Sequence, residues 1–361
     1  MADPSPHFKF AATGIGSVPF EDIEGTCGKI CRCVPFMPFW PQFVKRSHLE
    51  DMIIQYSEGL PLLQVNASRR SLSISPSEKR ETALVAFYER FFAQDVEAFA
   101  ISREYASGLY ALLALIKEID DGPADGSYIK GQTVGPVTFT AGVKDLNGKS
   151  VLHDPELSEA MTRGLAIKAL WQVKMLSGTG RRPVIFLDEP YLSGFGSAFS
   201  PIQRHEVIDM LRAVFDYLRE ESEVLIGVHC CGNTDWSMIF EAGPDIINFD
   251  AAGYMDHFLL YQNDIMRFIK GGGRIAWGIV PTAGFTGEET VEGLASALKN
   301  GFLRMGQWGL DLDQVAYQSI LTPSCGMGTM DVSAASAAMG LLSRLSDICR
   351  DWDMNALGEG S

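Results

Sequence analysis

Short apolar runs alternate with longer amphipathic stretches along most of this chain. The runs at 10–16, 36–40, 62–65, 128–134, 184–188, 224–228, 245–249, 274–279 and 316–321 read as buried strands, rich in branched and aromatic residues. Apolar residues recur at helical spacing over 20–33, 48–58, 77–88, 96–119, 155–176, 201–220, 235–242, 257–270, 291–308 and 330–351. Alternating strand and helix predicts a parallel sheet with helices packed outside it. Eight or nine strands without a Gly/Pro linker point to one domain over 1–361, a (βα)8 TIM barrel with an N-terminal extension and loop insertions. An open doubly wound sheet satisfies the same alternation. The polar, Ser/Arg-rich stretch 68–79 reads as a long surface loop.

A barrel gathers its chemistry where strands end. Polar residues fall at those places: Gly16-Ser17, Trp40-Pro41-Gln42, Gln132, Asp188-Glu189-Pro190, His229 with Cys231, Asp250 and Cys325. Residues two apart on a strand share a face, so His229 and Cys231 point one way and Cys230 the other. One imidazole and one thiol make half a zinc site, and Cys325 offers a second sulfur from another strand end. Asp250 is the best fourth ligand, and equally an N-cap for the segment after it. Glu241 is an outside candidate whose helical setting turns it outward. Zinc with two thiolates and an open position suits activation of a substrate thiol. Asp188-Glu189 can grip a substrate amino group or cap the next helix. Cys27, Cys31 and the residues around them form an apolar helical stripe, so they and neighbouring Cys33 read as core packing.

Composition narrows the function classes. The chain carries 30 Lys and Arg against 45 Asp and Glu, a net charge of −15 without a basic cluster. That argues against a nucleic-acid partner, which needs a basic patch. Seven cysteines, unevenly spread over 361 residues, are not a secreted disulfide framework. The N-terminus lacks a basic-then-apolar leader and no apolar stretch has membrane-spanning length, so the expected setting is the cytoplasm. Gly271-Gly272-Gly273 precedes a strand and opens no helix, which speaks against a phosphate loop.

Several segments carry a family resemblance. They are Gly14-Ile15-Gly16-Ser17-Val18-Pro19, Lys130-Gly131, Gly135-Pro136-Val137-Thr138, Leu187-Asp188-Glu189-Pro190, His229-Cys230-Cys231-Gly232-Asn233-Thr234, Asp245-Ile246-Ile247-Asn248-Phe249-Asp250 and Pro323-Ser324-Cys325-Gly326. Together, and in this order, they resemble the catalytic barrel of cobalamin-independent methionine synthase. They are also similar to corrinoid-dependent thiol methyltransferases of the uroporphyrinogen decarboxylase superfamily. The resemblance implies Zn2+ on His229, Cys231, Cys325 and Asp250, and a small thiol such as homocysteine near Gly16, Ser17 and Gln132. It makes Asp188 the holder of the substrate amino group, with Asp188 and Glu189 the catalytic pair. The implied methyl donor is a methylcorrinoid, on a corrinoid protein partner, or methyltetrahydrofolate.

The departures matter. The chain lacks the large N-terminal barrel of methionine synthase and its His-Gly-Glu motif; Glu58 is only nearby in sequence. It has no histidine at 278–282, where that family keeps its general acid. Methyltetrahydrofolate must be protonated before losing its methyl group, whereas a methylcorrinoid needs no acid, so the sequence leans toward the corrinoid. Two rivals remain: a metal-free decarboxylase or lyase of the same superfamily, and a non-catalytic zinc- or corrinoid-binding protein.

Overall fold

The computed structural model describes residues 8–66, 68–75, 79–119, 127–145, 147–197 and 202–354. Seven parallel strands form a curled sheet: β1 (Ala11–Ala12), β4 (Tyr128–Val134), β5 (Arg182–Asp188), β6 (Leu225–Cys230), β7 (Ile246–Phe249), β8 (Arg274–Val280) and β9 (Ser319–Pro323). The order is β1-β9-β8-β7-β6-β5-β4. Their near-continuous apolar sequences follow from burial on both faces. The long helix Pro155–Ser177 is typical of the outer layer: Asp154 caps it by accepting from Leu157 N at 3.2 Å, and Pro155 opens its first turn.

The sheet has two edges, β1 and β4, and residues 36–42 lie between them. Tyr128 N donates to Phe36 O, Lys130 N to Pro38 O and Trp40 N to Lys130 O, at 2.9, 2.9 and 3.0 Å. On the other side Gln42 N donates to Gly16 O at 3.0 Å and Val18 N to Gln42 O at 2.9 Å. The expected strand at 36–40 is therefore present only as isolated bridges. In a regular parallel ladder residue 38 would donate to Tyr128 O, and a proline has no N–H to give. Instead of eight regular strands, the described residues show seven and a bridging segment.

Other expectations shift. The run at 62–65 stands outside the main sheet: β2 (Leu63–Asn66) pairs antiparallel with β3 (Ser71–Ile74), so part of the expected loop is a hairpin arm. The rest of that stretch includes 76–78, outside the described residues. The helix expected over 48–58 is two 3-10 turns, His48–Glu50 and Ile54–Tyr56. Asp51 Oδ1 accepts from Ile53 N at 3.1 Å between them, offering the backbone a partner other than an α-helical carbonyl. The stretch 96–119 divides into Val96–Phe99 and Ser107–Ile119. Pro136–Gly142 is a buried helix that periodicity did not reveal, being apolar or small all round. Among the described residues no helix is long and apolar enough to cross a membrane.

Candidate active site

Strand parity places His229 near the end of β6, and Cys231 just after it, on one side; Cys230 is buried in the core. Cys325 follows β9 in the loop Pro323-Ser324-Cys325-Gly326. One ligand atom from each of His229, Cys231 and Cys325 lies within 4.8 Å of the others, the only such group among the described residues. That is the scale one ion spans, because Zn–N and Zn–S bonds are about 2.0–2.3 Å.

The imidazole is held in one tautomer. Its Nδ1 meets Asn248 Oδ1 at 2.5 Å, while Asn248 Nδ2 donates to Ala276 O at 2.8 Å and Thr322 Oγ1 at 2.9 Å. The carbonyl of Ala276 can only accept, so Asn248 presents its own oxygen to the ring. His229 Nδ1 then carries the proton, and Nε2 keeps its lone pair. Among the described residues the buried Nε2 has no hydrogen-bond partner, which leaves its lone pair available to a ligand. The hydrogen bond from Cys325 pulls the Cys231 thiol well below its usual range. The hydrogen bond to Cys231, with burial behind it, drives Cys325 upward. A nitrogen lone pair and a pair of thiols that already favours one thiolate fit a zinc ion.

These groups open on a cavity of about 360 Å³ whose wall includes Ser17, Gln42, Asp188, His229, Cys231 and Cys325. Asp188 is 5% exposed and its Oδ1 has no partner among the described residues. Burial raises its pKa against the pull of His229 and Lys130. Lys130 is fully buried, and burial lowers its pKa although Asp188 opposes this. Its Nζ donates to Ile15 O at 2.6 Å and Gln132 Oε1 at 3.2 Å, and sits 4.6 Å from the centre of the Phe186 ring. Ser17 Oγ accepts from Gly328 N at 3.3 Å. A Cβ on Gly326 would stand 2.2 Å from Ser17 Oγ, so only glycine lets the Cys325 loop close onto the first strand end. A larger cavity, about 860 Å³, lies at the opposite strand ends beside Asp245 and Arg274. Its Arg204 is paired with Glu241 at 2.6 Å, which accounts for that outside candidate.

Four expected site residues are placed otherwise. Glu189 does not face the cavity. Its carboxylate accepts from Val137 N at 2.9 Å, Thr138 N at 2.8 Å and Thr138 Oγ1 at 2.6 Å, so it caps the helix Pro136–Gly142. Asp250 is outside the ligand cluster; its Oδ1 accepts from Gly253 N at 2.8 Å and caps Ala251–Phe258. An aspartate is one methylene shorter than glutamate, and this one is held by its own helix. Gln132 is not among the residues lining the cavity and donates to Trp40 O at 3.0 Å. Gly16 contributes its carbonyl to the 36–42 bridge, while its neighbours Ile15 and Ser17 line the cavity. Glu58 accepts from Ser102 N at 2.8 Å. Gln42 stood among the polar strand-end residues, and Lys130 and Asn248 within the quoted segments, but none was given a role, although a polar residue inside an apolar strand was the available signal for Asn248 and Lys130.

A B12-independent methionine synthase from Shewanella sp. W3-18-1, solved with selenomethionine, superposes with a TM-score of 0.54 at 17% identity, over 94% of this chain and 98% of that one. The fold is that of the methionine synthase barrel. A putative B12-independent methionine synthase from Listeria monocytogenes matches at TM-score 0.51 and 15% identity, over 92% of this chain and 86% of that one. A methyltransferase from Methanosarcina mazei matches at 0.52 and 16%, over 89% and 84%. At these identities the likeness to the methionine synthase barrel is one of fold. No family model matches the sequence, and no curated protein matches it.

Proposed function

We propose that this protein is a zinc-dependent methyltransferase acting on a small thiol. The observation that carries the reading is the convergence of the His229 ring, Cys231 Sγ and Cys325 Sγ on the wall of a cavity. Zinc held by these three would lower the pKa of a substrate thiol and hold its sulfur as a thiolate at neutral pH. The ring of His229 is oriented by Asn248, so its lone pair needs no rearrangement. Asp188 offers a buried carboxylate to a cationic group of the thiol. The methyl donor we favour is a methylcorrinoid, carried by a protein partner. Sulfur gains the S–CH3 bond, the cobalt–carbon bond breaks and cobalt keeps the electron pair, so the leaving group needs no proton. This agrees with the loop at 278–282, where Thr282 N is tied to Ser324 Oγ at 3.1 Å and no histidine stands.

The test combines elemental analysis with methylcobalamin-plus-thiol turnover. The wild-type protein is expected to carry about one zinc, and Cys231→Ala and Cys325→Ala should each lose metal and turnover together. A zinc-free wild-type protein whose methyl transfer survives chelation would sink the zinc reading, and a zinc-free protein without methyl transfer would favour the metal-free lyase.

A further inference from the structure

Gln42 sits at the edge of the bridge that spans the sheet's gap, and its side chain is 3% exposed. Its amide orientation follows from a short relay. Tyr105 O, a backbone carbonyl, can only accept, and it accepts from Gln55 Nε2 at 2.5 Å. Gln55 must therefore present Oε1 at its other atom, and that oxygen accepts from Gln42 Nε2 at 2.7 Å. Gln42 in turn has only its carbonyl oxygen left to present. Among the described residues Oε1 has no protein donor. It lies against Gly16, where a Cβ would come within 2.5 Å of it, so glycine is what lets the carbonyl oxygen sit there. Gln42 lines the same cavity as Asp188 and the metal-ligand cluster.

We propose that Gln42 is a specificity-determining residue: its locked Oε1 accepts a hydrogen bond from an N–H donor on the acceptor thiol. This rests on the thiol methyltransferase reading and adds a residue that its motifs do not include. Two features set the class of group recognised. Gln42 Oε1 and the unpartnered Asp188 Oδ1 are both acceptors. Among the described residues no lysine or arginine lines the cavity, so nothing there pairs with a sulfonate or phosphate. The relay adds preorganisation. An unrestrained glutamine would offer either face of its amide, whereas Gln55 and Tyr105 leave Gln42 one.

The test uses the full chain loaded with Co2+, whose thiolate charge-transfer absorption reports sulfur binding independently of turnover. Dissociation constants are measured for 2-aminoethanethiol, 2-mercaptoethanol and 2-mercaptoethanesulfonate, and the preference for the amine is taken as a ratio. Wild type is expected to prefer the amine-bearing thiol over both others. In Gln42→Leu that ratio should fall about tenfold to a hundredfold, the worth of one charge-assisted hydrogen bond. Gln55→Leu, which keeps the acceptor and frees its orientation, should give a smaller fall. Equal binding of the three thiols by wild type overturns the role of Gln42 and leaves the thiol reading standing. So does an unchanged ratio in Gln42→Leu, or in Gln55→Leu when Gln42→Leu fails to fold. No sulfur binding at all in the metal-loaded wild type overturns the thiol reading and this inference with it.

Discussion

His229 acts through a neighbour that makes no contact with solvent. Asn248 is fully buried, and its two donor bonds are spent on fixing which atom faces the ring. Asn248→Ala removes the acceptor for Nδ1–H and frees both tautomer and ring orientation. Metal affinity should fall about 10- to 100-fold, read by competition with a chromophoric chelator. Unchanged affinity would mean that ring orientation does not matter here. Glu189 makes a second residue-level case. Burial raises its pKa to about 7 from 4.5, although the hydrogen bonds from Thr138 and Val137 pull the other way. Across that window the unfolded chain has already released a proton that the folded chain still holds. Folding stability therefore falls as pH rises, by at most about 1.4 kcal/mol per pH unit from this group. Glu189→Gln should flatten that slope in urea titrations between the two pH values. Parallel curves for variant and wild type would show that the carboxyl is already ionised in the fold.

At the scale of elements, the bridge at 36–42 does the work of a strand without its regular ladder. Pro38 accepts from Lys130 N but cannot donate to Tyr128 O. Pro38→Ala should supply the missing bond and show a slowly exchanging amide at residue 38 in hydrogen exchange. The net stability change should be under about 1 kcal/mol, because the added bond is offset by the freedom restored to the unfolded chain. A rapidly exchanging amide there would mean that the segment is too far from β4 to pair. The helices expected from periodicity were legible when long and two-faced, as at Arg204–Glu221 and Val291–Gln307. They were misread where buried carboxylates intervened. Glu50, for example, accepts from Phe43 N at 2.8 Å and from the Ser107 hydroxyl, ending an α-helical pattern after one 3-10 turn.

For the whole molecule, the ligand cluster joins β6 to the loop after β9, elements far apart in sequence. An ion held there would bind the folded chain and find no preformed site in the unfolded one. At a hundredfold excess over its dissociation constant it should stabilise the fold by about 2.7 kcal/mol. Chelation is therefore expected to lower the Tm by several degrees in scanning calorimetry, reversibly on adding zinc. An identical Tm with and without metal would mean that the ion does not bind this cluster. By itself, the amino-acid sequence determined the strand–helix alternation, the order of the motifs and the shared side of His229 and Cys231. Those follow from local sterics, side-chain period and burial, which act over a few residues. Only the tertiary structure decided that Gln42 meets Gln55, that Asn248 holds His229, and that Glu189 and Asp250 are committed to helix ends. A buried polar group must find a partner, and which partner it finds depends on the chain segments that the closed fold brings beside it.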